Sequence, residues 1–305
     1  MRTTLVAAII AVASASQVTA QTPEATSLFG KPLISAPPVG ETKARLEADL
    51  AKAQADFDKD PASADAAIWL GRRLAYLGRF RDAIDTYTTG IAKHPDEPRL
   101  YRHRGHRYIT IRKFDLAVAD LTKAAQLIAG KPDEIEPDGA PNPKGIPRST
   151  LQSNIWYHLG LAHYLKGQFD RALVAYRSGM RVSRVNDDML VATSDWLYMT
   201  LRRLKRDDEA RAALEPITAQ MDVIENMAYH ARLLMYKGQR TPESVLNLNT
   251  ADDVQIATQG YGVGNWYLVN GDRAKAKEIF DRVLAGRAWT AFGFIAAEAD
   301  TQRGF

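Results

Sequence analysis

The segment WLGRRLAYLGRFRDAIDTYTTGIAKHP (69–95) is echoed 34 residues later by RGHRYITIRKFDLAVADLTKAA (104–125). Gly71 falls on Gly105, Leu74 on Tyr108, Phe80 on Phe114, Ala83 on Ala117, Tyr87 on Leu121 and Gly90 on Ala124. A fixed period of this length constrains the fold more than any other feature. One period makes a single pair of helices, which cannot bury its apolar face alone, so a core forms only when several pairs stack. A third copy, WYHLGLAHYLKGQFDRALVAYRSGM (156–180), puts Leu159, Gly160, Gly167, Phe169, Ala172, Tyr176 and Gly179 in the same order. The small residues let the two helices of a pair approach, and the large ones fill the space between neighbouring pairs.

With Pro95 closing the first copy, this pattern resembles the tetratricopeptide repeat. Weaker copies follow at 195–214, where Lys205 stands at the turn glycine, at 225–246, and at 261–284. The resemblance implies an all-α fold, a right-handed superhelical solenoid of antiparallel helix pairs with about six repeats. Amphipathic segments flank it: Leu46, Leu50, Ala53 and Phe57 mark an N-terminal capping helix in 41–63, and Trp289, Phe292 and Ala296 a C-terminal one in 285–305. The expected organisation is a signal peptide (1–20), an extended segment (21–40), the N-terminal cap, repeats one and two (64–127), a Pro/Gly-rich insertion (128–150), repeats three to six (151–284) and the C-terminal cap.

The first twenty residues carry one arginine, an apolar run from Leu5 to Ala13, and Val18 and Ala20 where a signal peptidase reads. The run is too short to span a bilayer, so the expectation is an exported product, periplasmic or secreted, with no membrane span after cleavage. The chain has no cysteine and so gains neither disulfides nor thiolate metal ligands. Lys and Arg exceed Asp and Glu only by 40 to 36, a small surplus that argues against nucleic acid as a partner. The insertion is acidic (Asp133, Glu134, Glu136, Asp138) and proline-rich, and reads either as a lid over the inner face or as a solvated spacer. Ile135 and Pro137 interrupt the alternation of oxygen ligands that a calcium loop needs.

The resemblance also implies which first-helix positions line the concave groove. They carry Arg72 and Tyr76 in repeat one; Arg99, Arg102 and His106 in repeat two; Asn154, Tyr157, His158 and Tyr164 in repeat three. Repeat four supplies Asp195, Trp196, Arg202 and Arg203; repeat five Tyr229, Arg232 and Tyr236; repeat six Tyr261 and Asn265. His103 is expected to face largely away from the groove. Arg104 replaces an apolar packing residue and must find a partner or reach water. An alternative for the arginines is internal pairing, with Arg102 or Arg202 bridging to Asp195 or Glu225.

Arginine forks match carboxylates, and tyrosine presents a rigid apolar face with a polar tip. The expected function is therefore a non-enzymatic scaffold or adaptor of the cell envelope, holding an extended peptide or acidic protein partner in a basic, aromatic groove. The alternative is a binding module for an anionic cell-wall or glycan polymer. An enzyme built from groove residues such as Asp195, His106 and Arg102 is the third class; the sequence has no GxSxG elbow, phosphate-cradling loop or HExxH pair. No cofactor or metal is expected. Oligomeric state is left open.

Overall fold

A computed structural model describes residues 22–36 and 38–305; the expected signal segment lies outside the described residues. A two-residue antiparallel ribbon, β1 (Ala25–Thr26) and β2 (Pro32–Leu33), precedes helix α1 (Gly40–Lys59). Six helix pairs follow. They are α2 (Ala64–Tyr76) with α3 (Phe80–Lys93), α4 (Pro98–Thr110) with α5 (Phe114–Leu127), and α6 (Leu151–Leu165) with α7 (Phe169–Ser183). The second half has α8 (Asp187–Arg203) with α9 (Asp207–Leu214), α10 (Met227–Tyr236) with the short α11 (Pro242–Val245), and α12 (Asp253–Val269) with α13 (Arg273–Ala285). Helix α14 (Phe292–Arg303) ends the chain. Among the described residues no helix is long and apolar enough to cross a membrane.

The pairs form because their sequences leave no room for anything else between them. A Cβ at Gly160 would sit 2.6 Å from the Tyr176 ring, and one at Gly105 would sit 2.7 Å from Leu121. The facing residues Tyr87, Leu121, Tyr176 and Phe280 are buried in the core. Each first helix packs on its own second helix, and from α2 to α12 successive first helices also touch, so they line the inner face of the stack.

Turns within pairs repeat one bonding scheme. Arg79 N–H donates to the Leu74 carbonyl (3.0 Å), Lys113 to Tyr108 (2.8 Å), Gln168 to His163 (2.9 Å) and Arg206 to Leu201 (2.9 Å). The scheme needs a left-handed residue just past the first helix. Gly78 and Gly167 supply it freely, while Arg112 (φ 64°) and Lys205 (φ 58°) adopt it with a side chain.

Two segments outside the repeats determine the shape of the inner face. The insertion is held as a structured cover: Ile135 bridges Thr150, and the Glu136 N–H donates to the Ser149 carbonyl (3.0 Å). It spans from repeat one to repeat five. Arg73 donates to the Gly139 carbonyl (2.8 Å), Asn142 to Glu225 (2.6 Å) and Arg148 to Asp222 (2.7 Å). The insertion thus lies against the scaffold and does not stand out in solvent as a spacer would.

Helix α14 packs on α12 and α13, as a capping helix would, and also reaches α6 on the inner face. The buried Arg112–Glu298 pair (2.8 Å) ties it to the α4–α5 turn. Asp300 accepts from Arg203 (2.9 Å) and from the Tyr261 hydroxyl (2.8 Å). The N-terminal segment joins there: Leu28 N–H donates to Glu298 (2.6 Å), and Trp289 Nε1 to the Ile34 carbonyl (2.9 Å).

Candidate functional site

Between the insertion and α14 the inner face keeps an opening of about 280 Å³. Its floor comes from first helices: Arg102 and His106 from α4, Ser153, Asn154, Tyr157 and His158 from α6, Thr193 from α8, and Tyr229 from α10. Ser149 of the insertion and Phe292 of α14 form its walls. These side chains meet because each lies on the stripe of its helix that faces neighbouring first helices.

The aromatic side is organised around Tyr157. Its hydroxyl accepts from Trp196 Nε1 (2.8 Å) and shares a hydrogen bond with the Tyr229 hydroxyl (2.6 Å). Phe292 stands 5.3 Å from the His106 ring and 5.6 Å from His158, and the two imidazoles lie 4.4 Å apart. Burial, reinforced by Arg102 and Arg107, holds His106 and His158 well below the ordinary histidine range, and His103 likewise. They are neutral near pH 7, so the positive charge of the site belongs to its arginines.

A smaller recess of about 140 Å³ adjoins it and shares Arg102 and His106. Arg72 and Tyr76 of α2, Tyr87 of α3, His103 and Arg107 of α4, and Glu136 of the insertion line it. Glu136 lies 3.1 Å from Arg102 and 3.5 Å from His103 Nε2, and accepts from Asn154 (2.9 Å).

The expected site residues therefore divide. Arg102, His106, Tyr157 and Tyr229 line the larger opening, and Arg72, Tyr76, Arg102 and His106 the recess. Trp196, Tyr229, Arg232 and Tyr261 border a further cleft beneath Phe292. Arg99 stands apart, paired with Asp65 (2.6 Å) and Glu97 (2.7 Å). Arg202 is spent on Asp207 (2.8 Å), Asn270 (2.9 Å) and the Tyr198 hydroxyl (2.9 Å).

Five residues expected to face a partner are corrected to interior positions: Tyr164, Asp195, Trp196, Tyr261 and Asn265 are all at most 2% exposed. The Tyr261 hydroxyl donates to Asp300 (2.8 Å) and shares a hydrogen bond with the Tyr164 hydroxyl (2.7 Å), while Asn265 accepts from Arg203 (3.1 Å). Asp195 accepts both arms of Arg232 (2.6 and 3.0 Å), which buries that arginine too. For Tyr164, Tyr261 and Asn265 the physical reason is α14, whose Asp300 enters the space the groove would occupy; Asp195 is buried by its pairing with Arg232, and Trp196 by packing on Tyr164 and Tyr261. Internal pairing occurs, but with other partners than expected: Arg232 takes Asp195, and Arg102 takes Glu136.

His103 is likewise corrected, since it borders the recess beside Glu136. Sequence reasoning missed Arg107, Glu136 and Phe292 as site residues. Arg107 lies outside the repeat positions used, and the other two come from segments with no repeat register to place them.

No family model matches the chain, and no curated protein matches it. Solved structures do, among them YrrB, "a TPR protein with an unusual peptide-binding site" (15% identity, 76% of this chain and 91% of that one, TM-score 0.43). TTC0263, a thermophilic TPR protein of Thermus thermophilus, is 16% identical over 64% of this chain and 91% of its own, with a TM-score of 0.46. MamA is 15% identical over 65% of this chain and 94% of its own, with a TM-score of 0.44.

Proposed function

We propose that this protein is an exported, non-enzymatic interaction scaffold of the cell envelope, whose inner face receives an acidic, extended segment of a protein partner. One observation carries the reading: an acidic, proline-interrupted segment of the chain itself already lies there. Glu136 sits on Arg102 and His103, and the Gly139 carbonyl on Arg73. The contacts are those of peptide recognition, a charge-assisted carboxylate anchor with a main-chain hydrogen bond beside it. The insertion acts as an internal occupant that a partner displaces.

The test uses a labelled peptide with the sequence of residues 131–139, KPDEIEPDG. Its binding is followed by fluorescence anisotropy with the native protein, Glu136→Gln and Arg102→Gln. Releasing the internal anchor should tighten binding about tenfold in Glu136→Gln, the worth of roughly one charge-assisted contact, and Arg102→Gln should abolish it. Absence of saturable binding to all three proteins would defeat the reading.

A further inference from the structure

The recess beneath the insertion contains more positive charge than its acids neutralise. Arg72, Arg102 and Arg107 all line it, against the single carboxylate of Glu136. Arg102 is 8% exposed and its Nε has no hydrogen-bond partner. Arg72 lies over the Trp69 ring (4.5 Å) and Arg107 near the Phe80 ring (5.7 Å). Among the described residues, neither guanidinium has a carboxylate within ion-pair distance or a hydrogen-bond acceptor. Burial pushes the Arg107 pKa down to about 10. Asp138 follows in the insertion with its Oδ2 buried and unpartnered; burial raises its pKa against the pull of Arg72.

Gathering three cations around one recess, Arg102 buried and Arg72 and Arg107 half-buried, against a single lining carboxylate is costly, and a chain gains nothing by it unless an anion arrives. The histidines bordering the recess are neutral, so its lining carries a formal surplus of two positive charges, one when the adjoining Asp138 carboxylate is counted. We infer that the recess is a binding site for a dianionic phosphate group, held by Arg72 and Arg107 with Arg102 beside it. A guanidinium presents two parallel N–H donors to two phosphate oxygens, and guanidiniums from two helices, α2 and α4, can grip one such group together. The phosphate enters either as the free ion or as the head of a larger phosphomonoester. In the second case its organic body lies past Arg102 and His106 among Tyr157, His158, Tyr229 and Phe292, the aromatic wall of the larger opening.

This site abuts the peptide anchor, since Glu136 lines the same recess and both use Arg102, but its grip comes from Arg72 and Arg107, which the anchor does not touch. Glu136 opposes the phosphate electrostatically, which gives the experiment two opposite expectations. Inorganic phosphate, phenyl phosphate and acetate are titrated calorimetrically into the native protein, Arg107→Gln, Arg72→Gln and Glu136→Gln at constant ionic strength. Phosphate should bind saturably to the native protein, weaken about tenfold or more in both arginine variants, and tighten in Glu136→Gln. Tighter binding of phenyl phosphate than of inorganic phosphate identifies a phosphomonoester as the ligand, and equal binding identifies free phosphate.

Removing an unpaired, half-buried charge should leave the melting temperature of Arg107→Gln unchanged or raised, so a loss of binding is not a loss of fold. Arg72→Gln repeats the measurement from a different helix. No saturation by concentrations on the order of 10 mM, acetate binding as tightly as phosphate, or an unchanged affinity in Arg107→Gln would overturn the inference. If phosphate fails while the KPDEIEPDG peptide binds, the phosphate site falls and the scaffold reading stands. The converse result removes the peptide reading and leaves the phosphate site.

Discussion

Arg104 shows how far one residue can be read from sequence. An arginine at an apolar packing position must neutralise its charge or reach solvent, and the structure gives it Asp120. The guanidinium donates through Nε (2.7 Å) and Nη2 (2.8 Å) to the two oxygens of that carboxylate, and through Nη1 to the Thr88 hydroxyl (3.0 Å). The need for a partner was legible, but the partner was not, because Asp120 is on the opposite helix of the same pair and no spacing rule singles it out. With both side chains largely shielded, removing one leaves the other's charge stranded. Asp120→Ala should therefore lower the free energy of unfolding by about 2–3 kcal/mol. Urea denaturation should show a lower midpoint with an unchanged slope. An unaltered midpoint would mean that the pair is as weak as an ordinary surface bridge.

At the scale of elements, the helix pairs follow from residues whose chemistry is local. Gly71, Gly105 and Gly160 permit close approach, Tyr87, Leu121 and Tyr176 fill the space opposite them, and the turns close with one bonding scheme. The fourth copy departs from the pattern at Lys205, and the structure keeps the turn by holding that lysine at a positive φ. A left-handed non-glycine residue carries roughly 1–2 kcal/mol of strain, partly offset by the greater freedom that glycine has when unfolded. Lys205→Gly should accordingly stabilise the protein by roughly 0.5–1 kcal/mol, read as a rise in thermal midpoint. Arg112 has the same backbone conformation, but its side chain bonds Glu298 and the Trp289 carbonyl, so glycine there should destabilise instead. The insertion and α14 were visible in sequence as segments but not as positions. A period reports which residues share a face within the stack, and neither segment shares the period.

For the whole molecule, closure is the consequence that matters for function. The ribbon, the insertion and α14 fold onto a solenoid whose inner face would otherwise be an open groove. What remains is a basic, aromatic opening with an arginine-lined recess beside it. The candidate groove was half legible: Arg102, His106, Tyr157 and Tyr229 do line the opening, whereas Tyr164, Tyr261 and Asn265 lost their access to the network around Asp300. The insertion occupies the inner face through its acidic anchor, Glu136 on Arg102.

The absence of cysteine allows this to be tested directly with two introduced thiols, at the exposed positions Lys59 on α1 and Ala140 in the insertion. Spin labels at Lys59→Cys and Ala140→Cys report the distance between insertion and scaffold by pulsed electron resonance. A single narrow distance distribution is expected in the native background, broadening and shifting when Glu136→Gln is added or when the KPDEIEPDG peptide is supplied in excess. A distribution that stays the same under both changes would contradict the account, because the contacts of Arg73 with Gly139, Asn142 with Glu225 and Arg148 with Asp222 would then suffice to hold the insertion without the carboxylate on Arg102.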